Sequence, residues 1–261
     1  AYEIYQCDWS SDVCSSDLAW VEVVEPPDHD EVLAARNVIG RPSKRKWRGS
    51  LLGGCIRAHW YSANGVPPSE PFTADTLRIF AMGNAVGNFL QDILQEKYGD
   101  RIEFEVPVES DKNDFAGNID GLLKLEDDCY AVLEFKSIKS GGFKRLKEAK
   151  PEHATQVASY ARFLGEAYDD AGIDVSLEAW VIYVCKDSFE LIEFPVDIPS
   201  WGDRAQRVLN VLNYYGDRTP PRFPDAARRK WPCGWCNWKA VCLGGDKDRK
   251  STRLNSSHTD I

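Results

Sequence analysis

Hydrophobic and polar positions alternate through the middle of this chain and shift to a helical period on either side. Ala74 to Tyr98 carries Leu77, Phe80, Ala81, Leu90, Ile93 and Leu94 as an apolar stripe, which predicts a helix. Ile102 to Val108 alternates as a strand. In GNIDGLLKLEDDCYAVLEFKS, Ile119, Leu123 and Leu125 point one way and Asp120 the other. Leu133 and Phe135 then alternate with Glu134 and Lys136, and Glu126, Asp127 and Asp128 form a polar break, so the segment predicts a hairpin. Pro151 to Ala171 predicts a helix opening with proline in its first turn. Leu177 to Cys185 and Phe189 to Val196 predict strands around Lys186-Asp187-Ser188, and Trp201 to Tyr215 a helix. The 30s to 60s read as helical or irregular around Cys55, and no internal repeat is evident.

The hairpin carries the chemistry. A three-residue turn sets Asp120 across from Glu134, with β-carbons about 4.5–5.5 Å apart. Strand periodicity puts Lys136 on the same face as Glu134. Like charges so placed destabilise a sheet unless a cation or a shared proton joins them, and a divalent metal is the simplest resolution. Ordinary surface acids on an exposed hairpin give the same pattern, and a one-residue slip separates the two acids. Glu105, on the preceding strand, is either a supplementary carboxylate or an exposed strand acid. Gln156 and Tyr160 are four apart and share one helix face.

Cysteine supplies a second constellation. WPCGWCNWKAVC places Cys233, Cys236 and Cys242 together, and Cys55 is the best distant candidate for a fourth ligand. Four thiolates suit either structural zinc or an iron–sulfur cluster. Nothing marks a secreted disulfide scaffold. Cys129 and Cys185 lie inside apolar strand patterns and read as buried thiols.

Asp120, then Glu134-Phe135-Lys136, then a helix with Gln156 and Tyr160 resembles the PD-(D/E)xK nuclease superfamily in its RecB-like branch. The resemblance implies an α/β restriction-endonuclease-like αβββαβ core. It also implies metal held by Asp120 and Glu134, water positioned by Lys136, and Gln156 and Tyr160 beside the site as a wall for a nucleic-acid strand. The bracketing cysteines resemble those of the iron–sulfur nucleases of AddB type and the CRISPR-associated exonucleases of the Cas-four type. By that resemblance Cys55, Cys233, Cys236 and Cys242 hold a 4Fe–4S cluster, with zinc as the alternative. The implied activity is Mg²⁺- or Mn²⁺-dependent exonucleolytic cleavage of DNA, with single-stranded ends as the expected substrate, within CRISPR adaptation, recombination or repair. One departure stands out. Where the branch carries a histidine four residues after a helical glycine, Gly83 is followed by Gly87. An impaired DNA-binding or adaptor protein on a nuclease scaffold is the alternative reading.

Composition changes this picture little. A chain of 261 residues with nine Trp can bury one sizeable core. The net charge of −9 discourages non-specific nucleic-acid binding, yet RPSKRKWR at 41–48 and KSIKSGGFKRLKEAK at 136–150 are locally basic. Lys139, Lys144 and Arg145, beside the proposed centre, are the candidates for guiding a phosphate backbone. No apolar run approaches the roughly 20 residues that span a bilayer and no signal peptide is evident, so the cytoplasm is the expected compartment. Residues 1–18 and 247–261 read as attached, non-native sequence around one nuclease domain at 19–246, which leaves Cys7 and Cys14 no weight as ligands.

Overall fold

The computed structural model describes residues 46–69, 72–126, 128–223, 225–228 and 230–244, all within the unit Ser43–Ile261. The expectations for residues 1–18 and 247–261, for Cys7 and Cys14 and for positions 41–45 of the first basic run lie outside them.

Six strands form one mixed sheet: β1 (Trp47–Arg48), β2 (Ile102–Ser110), β3 (Phe115–Glu126), β4 (Cys129–Ile138), β5 (Ser176–Cys185) and β6 (Leu191–Pro195). The helices are α1 (Ile56–Ala63), α2 (Ala74–Tyr98), a single turn α3 (Ser140–Phe143), α4 (Pro151–Asp170), α5 (Ile198–Tyr215) and α6 (Lys239–Gly244). From α2 to β6 the order matches the expected αβββαβ core, with α3 inserted. The strand order is β1-β3-β4-β5-β6, with β2 also paired to β3.

Alternation along β4 and β5 sends side chains to two separate cores. Val132, Val181 and Tyr183 pack with Ala154, Val157 and Ala158 of α4. Leu133 and Ile182 pack on the other face, against Leu94 and Tyr98 of α2. Within α2 only Val86 and Leu90 are buried, so Ala81 and Ile93, expected in the stripe, face outward. A helix resting on one narrow line of a sheet buries a single i, i+4 row.

Two local features differ from the alternation. The β3–β4 ladder shifts between Lys124 and Glu126 and closes through Glu126↔Cys129, with Asp128 at φ 61°, so a bulge and a tighter turn replace the three-residue loop. The β2–β3 ladder steps over Glu105 and Asp120, between Phe104↔Gly121 and Val106↔Ile119. Glu105 has φ 54°, a left-handed conformation that breaks the pleat. Ile119 consequently packs in the α4-side core and Leu123 in the α2-side core, on opposite faces rather than one.

The same break opens a fork. The β3–β4 ladder runs from the turn to Gly121↔Leu133, and the far end of β3 pairs instead with β1 at Phe115 and Ala116. β2 occupies the other edge of β3 from Phe115 to Leu123, apart from the step at Asp120. Asp120 and Glu134 are the first residues past the last β3–β4 pair.

Candidate active site

At the fork, the amide of Phe135 donates to Oδ2 of Asp120 at 2.8 Å. That bond pins the Asp120 carboxyl beside the Glu134 side chain, and continuing the ladder register sets the two residues opposite each other. Glu134 pairs in parallel with Val181 and Lys136 with Tyr183, so all four lie over the α4-side core. Glu134 is fully buried, at 0% exposure. Its Oε1 receives the ammonium of Lys136, and its Oε2 has no hydrogen-bond partner.

Electrostatics express the same crowding. Burial, and next the charge of Asp120, push the Glu134 carboxyl up to about 8. Burial likewise raises Asp120, against the pull of Lys136 and the Phe135 amide. Burial alone would lower Lys136, but Glu134 and Asp120 outweigh it and hold its ammonium above the ordinary lysine range. An orphaned carboxylate oxygen next to a second, half-buried acid fits a cation donor set. Among the described residues no group of three His, Cys, Asp or Glu side chains is gathered for a metal, and these two carboxylates are the pair that could hold one here. A hard cation that keeps several waters suits such a pair.

The remaining candidates fall at different distances from this pair. Glu105 is exposed, its Oε2 3.5 Å from Asn118 Nδ2, and its charge contributes to raising Asp120. Gln156 and Tyr160 are 6% and 3% exposed. Gln156 Nε2 donates to the Tyr160 hydroxyl at 3.2 Å, and the ring fills a slot with no room for a Cβ at Gly49 or Gly117. So placed, they present no open wall for a strand. Burial raises the Tyr160 phenol well above its usual range, followed by Glu134, whose charge it feels. Lys139, Lys144 and Arg145 are exposed around α3, at the end of β4. Gly87 has no atom within 4 Å of a Cβ placed there, whereas Gly83 faces Ser137.

Two histidines that do not match the branch's glycine–histidine spacing nonetheless have their pKa values lowered by burial. His153, in the first turn of α4, shares a 2.8 Å hydrogen bond with the Tyr183 hydroxyl, and burial followed by Lys136 lowers its pKa to about 3. His153, Gln156 and Tyr160 stand at i, i+3 and i+7, a stripe that could have signalled its place. His59 accepts the Arg48 amide on Nε2 at 3.0 Å, its Nδ1 is buried without a partner, and burial lowers its pKa to about 3.

The cysteines converge elsewhere. Cys55, at the start of α1, lines one cavity with Cys233, Cys236 and Cys242. The C-terminal segment is fastened there by Trp238 Nε1 to the Val66 carbonyl at 2.7 Å and by the Ser69 amide to Asn237 O at 2.7 Å. None of the six described cysteines is in a disulfide. The four thiols share the cavity without three of them being drawn to metal-binding separation. Cys185 is buried as expected from its apolar strand, while Cys129 is only half-buried because it borders the bulged turn.

A family model described as the PD-(D/E)XK nuclease superfamily matches residues 31–243. The chain belongs to the PD-(D/E)XK nuclease superfamily. Superfamily members are nucleases, which makes DNA the implied substrate, and they usually use divalent metals such as Mg²⁺. No curated protein matches the chain. A crystal structure of SSO0001 superposes with a TM-score of 0.50 at 13% identity, over 81% of this chain and 93% of that one, and shows a shared fold. Among the described residues of this superfamily member, no helix is long and apolar enough to cross a membrane.

Proposed function

We propose that the chain is a metal-dependent deoxyribonuclease working as an exonuclease on single-stranded DNA ends. The observation that carries the reading is Glu134, fully buried beside Asp120 with Oε2 unpartnered and Oε1 on Lys136. Asp120 and Glu134 are the residues that would hold Mg²⁺ or Mn²⁺. Such a cation, when bound, polarises the scissile phosphate and lowers the pKa of water. The Phe135 amide keeps Asp120 turned toward Glu134. Lys136 offsets the charge of both carboxylates and offers N–H donors to the attacking water and the phosphoanion. Gln156 and Tyr160 brace the wall behind the acids, and Lys139, Lys144 and Arg145 lead the backbone in.

The four cysteines form the second part of the proposal. They bind one 4Fe–4S cluster, structural zinc being the alternative, and tie the start of α1 to the C-terminal segment. Their common cavity supports this, and thiols close on a metal as they coordinate it. Partners in CRISPR adaptation, recombination or repair in the cytoplasm fit such an enzyme.

Gly87, open where the branch has a histidine, favours a second reading, a DNA-binding adaptor with little turnover. One experiment separates the two. Anaerobically purified protein is given 5′- and 3′-labelled single- and double-stranded DNA with and without Mg²⁺ or Mn²⁺, alongside Glu134→Gln. Metal-dependent shortening of single strands that Glu134→Gln lacks supports the exonuclease. DNA binding without cleavage supports the adaptor.

A further inference from the structure

One face of α2 carries an apolar seam. Ile79, Met82, Val86, Phe89 and Ile93 recur at alternating steps of three and four, the spacing by which one helix packs along another. Val86 is buried, whereas Ile79, Met82, Phe89 and Ile93 are 50, 55, 53 and 40% exposed. The row that rests on the sheet, through Val86 and Leu90, runs alongside. Phe189, from the turn between β5 and β6, widens the seam. Its ring meets that of Phe89 edge-on at 4.9 Å, from a left-handed backbone position at φ 59°. Scattered apolar side chains on a surface are ordinary, but four aligned along one helix form a contiguous patch that marks a contact.

The charges bordering the seam say what covers it. Arg78 and Glu96 lie about five turns apart and so project from one flank, the base near the N-terminal end and the acid near the C-terminal end. Asp75 and Lys97 lie about six turns apart, with the signs in the opposite order. All four are exposed, and within the chain Arg78 pairs with Asp75. A second copy of α2 laid antiparallel across the first sets Arg78 against Glu96 and Asp75 against Lys97, each twice by two-fold symmetry. A parallel copy sets like charge on like. The antiparallel arrangement also brings Ile79 against Ile93, with Val86 and Phe89 about the axis. Because α2 is already ordered on the sheet, pairing fixes little further backbone.

We propose that the chain forms a homodimer through α2, the two helices antiparallel, with the exposed seam buried and the four charges paired at its rim. None of these residues belongs to the candidate active centre, so the proposal stands apart from the nuclease reading.

Sedimentation velocity of the full chain over a concentration series reads the mass, which should move from 29.5 kDa toward twice that value. Ile79→Glu/Met82→Glu, at two exposed positions, should raise the dimer dissociation constant at least about 100-fold while far-UV circular dichroism stays unchanged. Arg78→Glu or Glu96→Arg alone should raise it about 10-fold, since two rim pairs per dimer are reversed, and the two together should restore it. A wild-type chain that remains at 29.5 kDa throughout overturns the proposal. If the apolar dye ANS then binds it and not Ile79→Glu/Met82→Glu, the face belongs to a different partner. A dimer that folded Ile79→Glu/Met82→Glu leaves intact overturns it as well. A dimer broken by the glutamates, whose charge-swapped variant is no tighter than either single change, overturns the antiparallel arrangement.

Discussion

The Tyr183 hydroxyl meets Nδ1 of His153 at 2.8 Å while accepting the Lys150 amide at 2.9 Å. His153 is held neutral by burial, with its pKa near about 3. The phenol proton has no other acceptor among the described residues, so it goes to Nδ1 and leaves Nε2 as the N–H donor. This neutral donor lies near Lys136. We expect His153→Ala to lower kcat about 10-fold, the worth of one hydrogen bond to a charged oxygen. His153→Gln, which offers an N–H at similar reach, should retain most of the activity. Equal rates for wild type and His153→Ala in steady-state cleavage assays would remove His153 from the mechanism.

Glu134→Gln, Asp120→Asn and Lys136→Met should each reduce cleavage at least about 100-fold, the scale of losing one preorganised electrostatic group. The isosteric changes keep the buried volume and should leave the protein folded. Calorimetry with Mn²⁺ should show weaker binding for the two carboxylate variants. Near-normal cleavage by folded Glu134→Gln would place the centre elsewhere.

The contribution of Glu134 to stability without metal should decline as pH rises. Glu134 has a folded pKa of about 8 against an ordinary 4.5, so the folded state holds a proton that the unfolded state releases in that window. Its contribution is fully present below about 4.5 and lost as pH approaches 8. His59 and His153, lowered to about 3, act oppositely and lose stability as pH falls below 6.5. Thermal midpoints of wild type minus Glu134→Gln isolate the carboxyl. A difference that stays flat from pH 5 to 8 would mean that Glu134 is not raised.

Gly87→Ala should stabilise the protein by about 1 kcal/mol, since a helical glycine is replaced where nothing crowds the new Cβ. The thermal midpoint should rise by about 2–4 °C with cleavage unchanged. A lower midpoint would reveal a neighbour packed on that face.

Cys55→Ala should abolish the broad absorption near ~400 nm expected of an anaerobically purified 4Fe–4S protein. It should lower stability more than the turnover of the remaining folded protein. Stoichiometric zinc without iron in wild type would favour the zinc alternative, and a fully occupied cluster in Cys55→Ala would show another fourth ligand.

Helix α2, strands β2 to β6, α4 and α5 were legible in the chain because their periodicity is local, and the turn after Glu126 was marked by its own polar residues. Asp120, Glu134 and Lys136 stood out because acids and a lysine interrupt apolar strands. Other features depend on residues far apart in sequence. β1 is two residues long and exists through its pairing with Phe115, so no period announces it. The left-handed Glu105 breaks the pleat opposite Asp120, which alternation cannot foresee because φ follows from the packing of both strands. Burial of Gln156 and Tyr160 depends on Gly49 and Gly117 leaving space for one ring, and the neutral donor of His153 depends on Tyr183, thirty residues away. Sequence determined which groups could do chemistry. Tertiary structure decided their burial, their partners and so their charge, because desolvation and hydrogen bonding are set by neighbours that the chain brings together only on folding.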